Sequence, residues 1–344
     1  MSKYLVTGTA GFIGFHLANA LLQRGEKVVG IDNINDYYDA GLKYSRLAEA
    51  GIRREETDWL KPAKSEKWPG YRFVRMNLED KESIDALFGA EKFDFVIHLA
   101  AQAGVRYSIE NPGVYIQSNI NGFFNILEAC RHNPVKYLLY ASSSSVYGNN
   151  VKVPFSEGDN VDLPVSLYAA TKKSNELMAA AYSILYGLKA TGLRFFTVYG
   201  PWGRPDMAVY KFTEAITEGK PIQVYDGGTM RRDFTYIEDI INGILSLLDR
   251  QREVSAPDLM NIGNNSPETV NDLVSQLEKA LDKKATVEHL PMQLGDVKAT
   301  FADITRINEY SGFRPQTDLG TGLKKFVKWY REYKKKIDTR PFLS

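Results

Sequence analysis

Tyr168-Ala-Ala-Thr-Lys172 sets a phenol and an ammonium four residues apart. On a helix that spacing puts both on one face. A cation beside a phenol stabilises the phenolate and lowers its pKa, which makes a general base for a hydroxyl proton at neutral pH. Upstream, Ala141-Ser-Ser-Ser-Ser145-Val-Tyr-Gly148 closes an apolar run with consecutive hydroxyls. These pack poorly at a strand end but suit hydrogen bonds to a sugar, so Ser143, Ser144 and Ser145 join Tyr168 and Lys172 as candidates. Gly8-Thr-Ala-Gly11-Phe12-Ile13-Gly14 has the makings of a phosphate cradle. Glycines there expose backbone N–H groups at a helix start with no Cβ in the way. Asp32 lies 18 residues beyond Gly14 and closes the next apolar run. A carboxylate at that distance accepts bonds from ribose hydroxyls and repels a 2′-phosphate, so the spacing predicts NAD rather than NADP. Each pattern alone recurs by chance; their order in one chain carries the weight.

These groups need strands and helices behind them. Tyr4-Leu5-Val6 reads as a buried strand, and Phe12 to Arg24 as a helix with Ile13, Leu17, Ala20 and Leu21 on one side and Gly25 as its stop. Further strands are predicted at 28–31, 73–76, 93–99, 138–142 and 190–196, with helices near 81–89, 111–132 and 166–187. That alternation predicts an α/β chain with a Rossmann-type, doubly wound parallel sheet covered on both faces. Residues 34–69 carry charges, two Trp and two Pro without a clean period, and read as an excursion between strands. The rest is mixed, with helices near 207–218, 236–249, 268–282 and 321–336 and a strand near 222–225. The division expected is an NAD-binding domain over 1–196, to which part of 230–262 returns, and a smaller mixed α/β substrate domain over 197–344. The Lys334-Lys335-Lys336 run reads as a solvated helix end.

Composition narrows the classes. The 344 residues hold 43 Lys+Arg against 42 Asp+Glu, so no basic excess points to nucleic acid or an anionic membrane. One cysteine, Cys130, favours a reducing, cytoplasmic setting, and with four His it leaves no case for a metal site. No apolar stretch is long enough to span a membrane. His98, inside an apolar strand, reads as a hydrogen-bonded core residue.

Taken together, the chain resembles the extended short-chain dehydrogenase/reductase family over nearly its full length. The matching pieces are the glycine turn, Asp32, His98-Leu-Ala-Ala-Gln102, the serine run, Tyr168 with Lys172, Leu193-Arg-Phe-Phe-Thr-Val-Tyr-Gly200 and Arg232-Asp-Phe-Thr-Tyr236. Within it, Gly200-Pro-Trp-Gly-Arg-Pro-Asp-Met-Ala208, Asp32-Asn-Ile-Asn-Asp-Tyr-Tyr38 with Leu42-Lys43, and Met292-Gln-Leu-Gly-Asp296 resemble the UDP-glucuronate 4-epimerase branch.

The resemblance implies oxidation of the sugar at C4 and return of the same hydride to the other face. Tyr168 takes and gives back the hydroxyl proton, Lys172 holds the nicotinamide ribose and keeps Tyr168 ionised, and Ser143 is the hydroxyl partner, with Ser144 and Ser145 as second choices. Asn33, Asn77 and Leu78 fall near the adenosine end, and Leu99, Ala100, Ala101 and Gln102 border the cofactor. Thr197, with the serines, would cradle a uronate carboxylate, and Arg204 would pair with it or clamp the site. Arg232 would meet the diphosphate, Val224 and Tyr225 the uridine, and Asp296 its ribose. Gln293 stands where some relatives have a phosphate-binding Arg. Dehydratases and decarboxylases of the family carry an acid just after the catalytic Ser or Thr; here Ser144, Ser145 and Val146 follow, which favours epimerisation. A 4-epimerase of UDP-glucose or UDP-N-acetylglucosamine is the enzyme alternative, and a silent NAD-binding scaffold or sensor the alternative of another class. The family's habit of pairing two helices per subunit implies a homodimer through about 111–132 and 166–187.

Overall fold

Short apolar runs bounded by turn residues form the strands. In chain order they are β1 (Lys3–Thr7), β2 (Lys27–Asp32), β3 (Pro62–Lys64), β4 (Tyr71–Arg75), β5 (Phe95–His98), β6 (Tyr137–Ser143), β7 (Ala190–Phe195), β8 (Thr197–Tyr199), β9 (Ile222–Tyr225), β10 (Arg231–Tyr236), β11 (Leu259–Ile262), β12 (Pro267–Thr269), β13 (Val287–Leu290) and β14 (Ala299–Thr300). The computed structural model describes residues 1–251, 258–292 and 298–338.

The main sheet has eight strands in the order β11-β7-β6-β5-β1-β2-β4-β3. Its pairings are parallel except for the antiparallel edge of β3 on β4. Side chains alternate between two cores: Tyr4 and Val6 of β1 enter one, Leu5 the other, and Leu139 and Leu138 of β6 divide the same way. A sheet covered on both faces needs such unbroken apolar strands. Strand order reverses at β1, so a crevice opens above the C-terminal ends of β1 and β5, where doubly wound sheets hold their ligands.

The smaller sheets lie beyond those strand ends. β10 pairs with β8, β12 and β14, and β9 pairs with β13. Of these strands only β9 carries a clear sequence signal. β11, from the 230–262 stretch, runs beside β7. The helix expected over 111–132 is interrupted by a wider π turn at Ile116–Asn121 before Gly122–His132. The irregular 34–69 stretch contains a helix, Ala40–Glu49, capped by the Asp39 side chain, and the edge strand β3.

Candidate active site

The first helix, Phe12–Gln23, starts directly on the glycine turn. Its N-cap is Gly11, which has no side chain to occupy the first amides, so they are left for a ligand. Gly8 sits at φ +78 with its Cβ position pressed to within 3.0 Å of the Ala100 backbone, and a Cβ on Gly14 would overlap the Gly8 carbonyl. Gly8 therefore needs its freedom of φ, and Gly14 needs its missing side chain. The Thr7 hydroxyl accepts from the backbone N–H of Leu99 and Ala100 at 3.1 and 2.9 Å, which locks the two strand ends together.

Asp32 ends β2 and accepts from the Ile34 amide at 2.8 Å. Lys43 is buried 3.9 Å from that carboxylate and donates to Asn35 Oδ1 at 2.5 Å. The sequence motif contained Lys43 but gave it no role; the structure puts an ammonium beside the ribose carboxylate. Asn33 donates to Asn77 at 3.1 Å, Leu78 is buried beneath, and Asn35 reaches Gln102 at 3.3 Å across the crevice. Ala101 is partly exposed beside them, whereas Phe12, expected at the cofactor, is buried in the core with the partly buried Ile13 packed against it, so what the turn offers a ligand is backbone and not these side chains. The diphosphate turn, the acid and the polar floor of a dinucleotide site thus meet, which fits NAD. His98 is buried, contacts the Thr7 hydroxyl at 3.1 Å and is held neutral by burial, its pKa pulled down to about 3.

Ser166 caps the helix Leu167–Tyr186, accepting from the Ala169 amide at 3.1 Å, and left-handed Gly187 ends it. Tyr168 and Lys172 share its inner face. Burial raises the Tyr168 phenol pKa above its ordinary value, while a hydrogen bond with Ser143 and the Arg204 charge pull the other way. This corrects the expectation that Lys172 alone leaves Tyr168 acidified. The Lys172 ammonium donates to the Ala141 carbonyl at 2.9 Å, and burial brings its own pKa down to about 8. Of the serines, Ser143 is the one in contact with the phenol; its hydroxyl also meets Ser145 at 3.2 Å, and Ser144 is partly exposed.

Two supports have no signature in the sequence motifs. Asn119, on the π turn, accepts from Gln102 N at 2.8 Å and donates to Gln102 O and to Thr171 at 3.0 and 3.1 Å, joining the loop after β5 to the Tyr168 helix. Glu176 accepts from Ser142 at 2.6 Å and takes two bonds of 2.8 Å from buried Arg194, joining that helix to β6 and β7.

Beyond the strand ends lies a cavity of about 500 Å³ lined by Thr197, Arg204, Tyr225 and Arg232 among others. Arg106 lines it too, its guanidinium 5.3 Å above the Tyr225 ring; sequence reasoning passed over it in the loop after β5. Val224 is fully buried in the core and turned from the cavity, because alternate residues of a strand face opposite sides. Arg204 is gripped by Asp206 at 3.0 and 2.5 Å, and Tyr37 donates to the same carboxylate at 3.2 Å. Asp296 and Gln293 lie outside the described residues.

The family model described as the NAD dependent epimerase/dehydratase family matches residues 4–263, well over half the chain. The chain belongs to that family. Its relatives share the chain almost end to end. UDP-glucuronate 4-epimerase 2 of Arabidopsis thaliana is 50% identical over 347 residues, 96% of this chain and 76% of its own. Among solved structures, UDP-glucuronic acid 4-epimerase from Bacillus cereus, in complex with UDP-glucuronic acid and NAD, superposes with a TM-score of 0.85 at 33% identity, over 96% of this chain and 99% of that one. UDP-glucose 4-epimerase from Thermotoga maritima, with UDP-glucose, gives 0.84 at 30% identity over the same shares. The Rossmann-type fold expected of the family is the one the main sheet displays.

Proposed function

We propose that this chain is an NAD-dependent 4-epimerase of UDP-sugars that interconverts UDP-glucuronate and UDP-galacturonate. The observation that carries it is the set of groups around Tyr168. Ser143 touches the phenol, no acid follows in the serine run, and the nearby Asp206 is unable to serve as one. Burial pushes the Asp206 carboxyl up, but the Arg204 charge and bonds outweigh that and hold it below the usual range. An ionised carboxylate has no proton for the elimination a dehydratase needs.

When bound, NAD supplies a hydride acceptor and a positive charge near the phenol. Tyr168 removes the 4-hydroxyl proton and returns it after the keto sugar has turned over. Ser143 orients that hydroxyl. Lys172, largely protonated at neutral pH, sits one helical turn behind. Thr197 and the serines offer neutral donors to a carboxylate, with Arg204 as the adjacent cation. Arg232, Arg106 and Tyr225 form the diphosphate and uridine end.

The division of labour in this reading gives the cofactor to residues 1–196 with β11 and most of the nucleotide sugar to 197–344, with Arg106, Ser143 and Tyr168 reaching the sugar nucleotide from the first part. A homodimer is part of the reading, because Phe124 on Gly122–His132 and Leu177, Ile184 and Leu185 on Leu167–Tyr186 are exposed. On the same helix Ala179 is buried and Met178 packs against the core, so neither is available to a partner. Light scattering of an Ile184→Asp, Leu185→Lys double variant should report half the wild-type mass. A cytoplasmic place suits the single thiol, and a uronate product suits polysaccharide synthesis.

A neutral UDP-hexose is the second reading. Asp206 already occupies the fork of Arg204, so the pair does not itself demand an anion. NMR of products from UDP-glucuronate, UDP-glucose and UDP-N-acetylglucosamine, each with catalytic NAD, separates the two. UDP-galacturonate from the first alone, without net NADH, is the expected result. Turnover confined to the neutral sugars sinks the uronate reading and keeps the Tyr168 chemistry.

A further inference from the structure

Residues 34–69 read in the sequence as an excursion between strands, yet they bury an arginine completely. Arg46 is 0% exposed. Its guanidinium donates to the Ala10 carbonyl and the Tyr38 hydroxyl at 2.8 and 2.7 Å, and to the Trp202 carbonyl at 3.1 and 2.7 Å through two nitrogens. One planar fork therefore ties the dinucleotide turn to the segment that carries Arg204. Trp202 needs holding. Its φ is 63, a left-handed conformation that bulky residues adopt only under constraint from their surroundings. Its ring is wedged against Phe15, Trp329 and Tyr333, and His16 bonds the preceding carbonyl, of Pro201, at 2.9 Å.

The same segment reaches Arg204 from the other side. Tyr37 donates to Asp206, and the Arg204 guanidinium lies 5.9 Å from the Tyr37 ring centre. The loop after β5 makes room for this phenol: a Cβ on Gly104, which sits at φ +104, would collide with the Tyr37 hydroxyl. Arg204 is thus fixed twice, through its backbone by Arg46 and through its ion-pair partner by Tyr37.

We propose that Tyr37 and Arg46 are positioning residues that act on the sugar through Arg204, which makes the 34–69 segment a specificity element for a charged sugar. The proton and hydride transfers use neither residue. The choice of a charged sugar rests on the uronate reading; the positioning does not.

The test is a double-mutant cycle on the NAD-loaded enzyme, with Tyr37→Phe, Arg46→Lys and Arg204→Ala, singly and paired. Each positioning variant should raise KM for UDP-glucuronate roughly 5- to 20-fold and move kcat less than about 3-fold. Added to Arg204→Ala, each should change KM by less than about 2-fold, because the residue it acts through is gone. Affinity for UDP alone, read by calorimetry, should stay within about 2-fold; general damage to the fold would weaken both ligands together. Equal losses in the presence and absence of Arg204, or equal losses for UDP and UDP-glucuronate, overturn the proposal. Tyr37→Phe keeps the ring and so carries the test even where Arg46→Lys does not fold. If wild type converts only a neutral UDP-hexose, the uronate reading falls, and the cycle is run on that sugar. Coupled losses there keep the positioning role and additive ones remove it.

Discussion

Residues 8–14 and residues 34–69 flank the same crevice and work with different atoms. The first stretch offers backbone. Its function needs N–H groups at a helix start and the absence of side chains, so any Cβ at Gly14 meets the Gly8 carbonyl. The second stretch offers side chains at the ends of long stems: Tyr37 on Asp206, Lys43 beside Asp32, Arg46 on three carbonyls of two turns. A backbone site has one geometry and a narrow choice of residues. A side-chain site has many solutions, and only the folded chain shows which was taken. The difference implies different modes of failure: the first stretch should break by steric intrusion, the second by loss of a bond.

The largest effect lies where both stretches converge. Tyr168→Phe keeps the ring, its packing and the crevice but removes the group that exchanges the proton. Turnover followed by NMR should fall by about 10³-fold, in the usual range for loss of a general acid–base group. NAD should still bind. Retention of a tenth of wild-type turnover would remove Tyr168 from the chemistry and leave the two stretches without a common purpose.

Gly14→Ala tests steric intrusion. The methyl has backbone in its way, which cannot swing aside, so NAD affinity should drop about 100-fold, since the turn must open to admit it. Gly89→Ala is the control: that helical position has nothing within 4 Å, and alanine there should be neutral or stabilise by up to about 1 kcal/mol. NAD titration and thermal melts of both variants read the contrast. Equal tolerance of the two alanines would mean the turn is not built on missing side chains.

Arg46→Met tests the loss of bonds. The thioether fills much of the volume but leaves the Ala10, Trp202 and Gly203 carbonyls without their donor, at a cost of about 3–5 kcal/mol by urea unfolding. Lys336→Ala, which removes an exposed pair with Glu49, should change stability by less than about 1 kcal/mol. If Arg46→Met costs no more than that, Arg46 does not hold the two turns together.

Legibility in the sequence follows the same line. Glycine spacing, Asp32, the serine run and Tyr168 with Lys172 were readable because backbone cradles and i,i+4 pairs impose fixed spacings. The main sheet was readable because burial on both faces forces continuous apolar strands. Asn119 and Glu176 were not, since their partners lie 17 and 52 residues away for Asn119 and 34 and 18 for Glu176, and no local pattern marks such a bond. The helix Ala40–Glu49 escaped because its inward face carries Lys43 and Arg46 as well as Leu42 and Leu47, so burial and hydrophobicity disagree there. Val224 was misread because one residue along a strand reverses the face. The acidified tyrosine was misread because adjacency to a cation is only one of three influences, and burial, the largest here, acts oppositely.

Among the site residues, Lys172 gives the smallest effect on stability and the one whose sign is easiest to get wrong. Burial lowers its pKa to about 8, beneath the value of about 10.4 for an unfolded lysine. Between those values the unfolded chain holds a proton that the folded chain has released, so this group makes stability rise with pH from about 8 to about 10. Below pH 8 the folded chain carries the full cost of a buried ammonium, at most about 3 kcal/mol and offset by about 1 kcal/mol from the bond to the Ala141 carbonyl. Lys172→Met should therefore melt higher than wild type at pH 7, by roughly 2–4 °C, with the gap closing by pH 10. Taking the difference between the two proteins cancels the other groups that titrate there. A variant that is less stable at every pH would show that the Ala141 bond outweighs burial. Either way its turnover should collapse: in this helix, unlike Arg46 in the 34–69 segment, the buried cation is kept for its geometry and not for what it adds to stability.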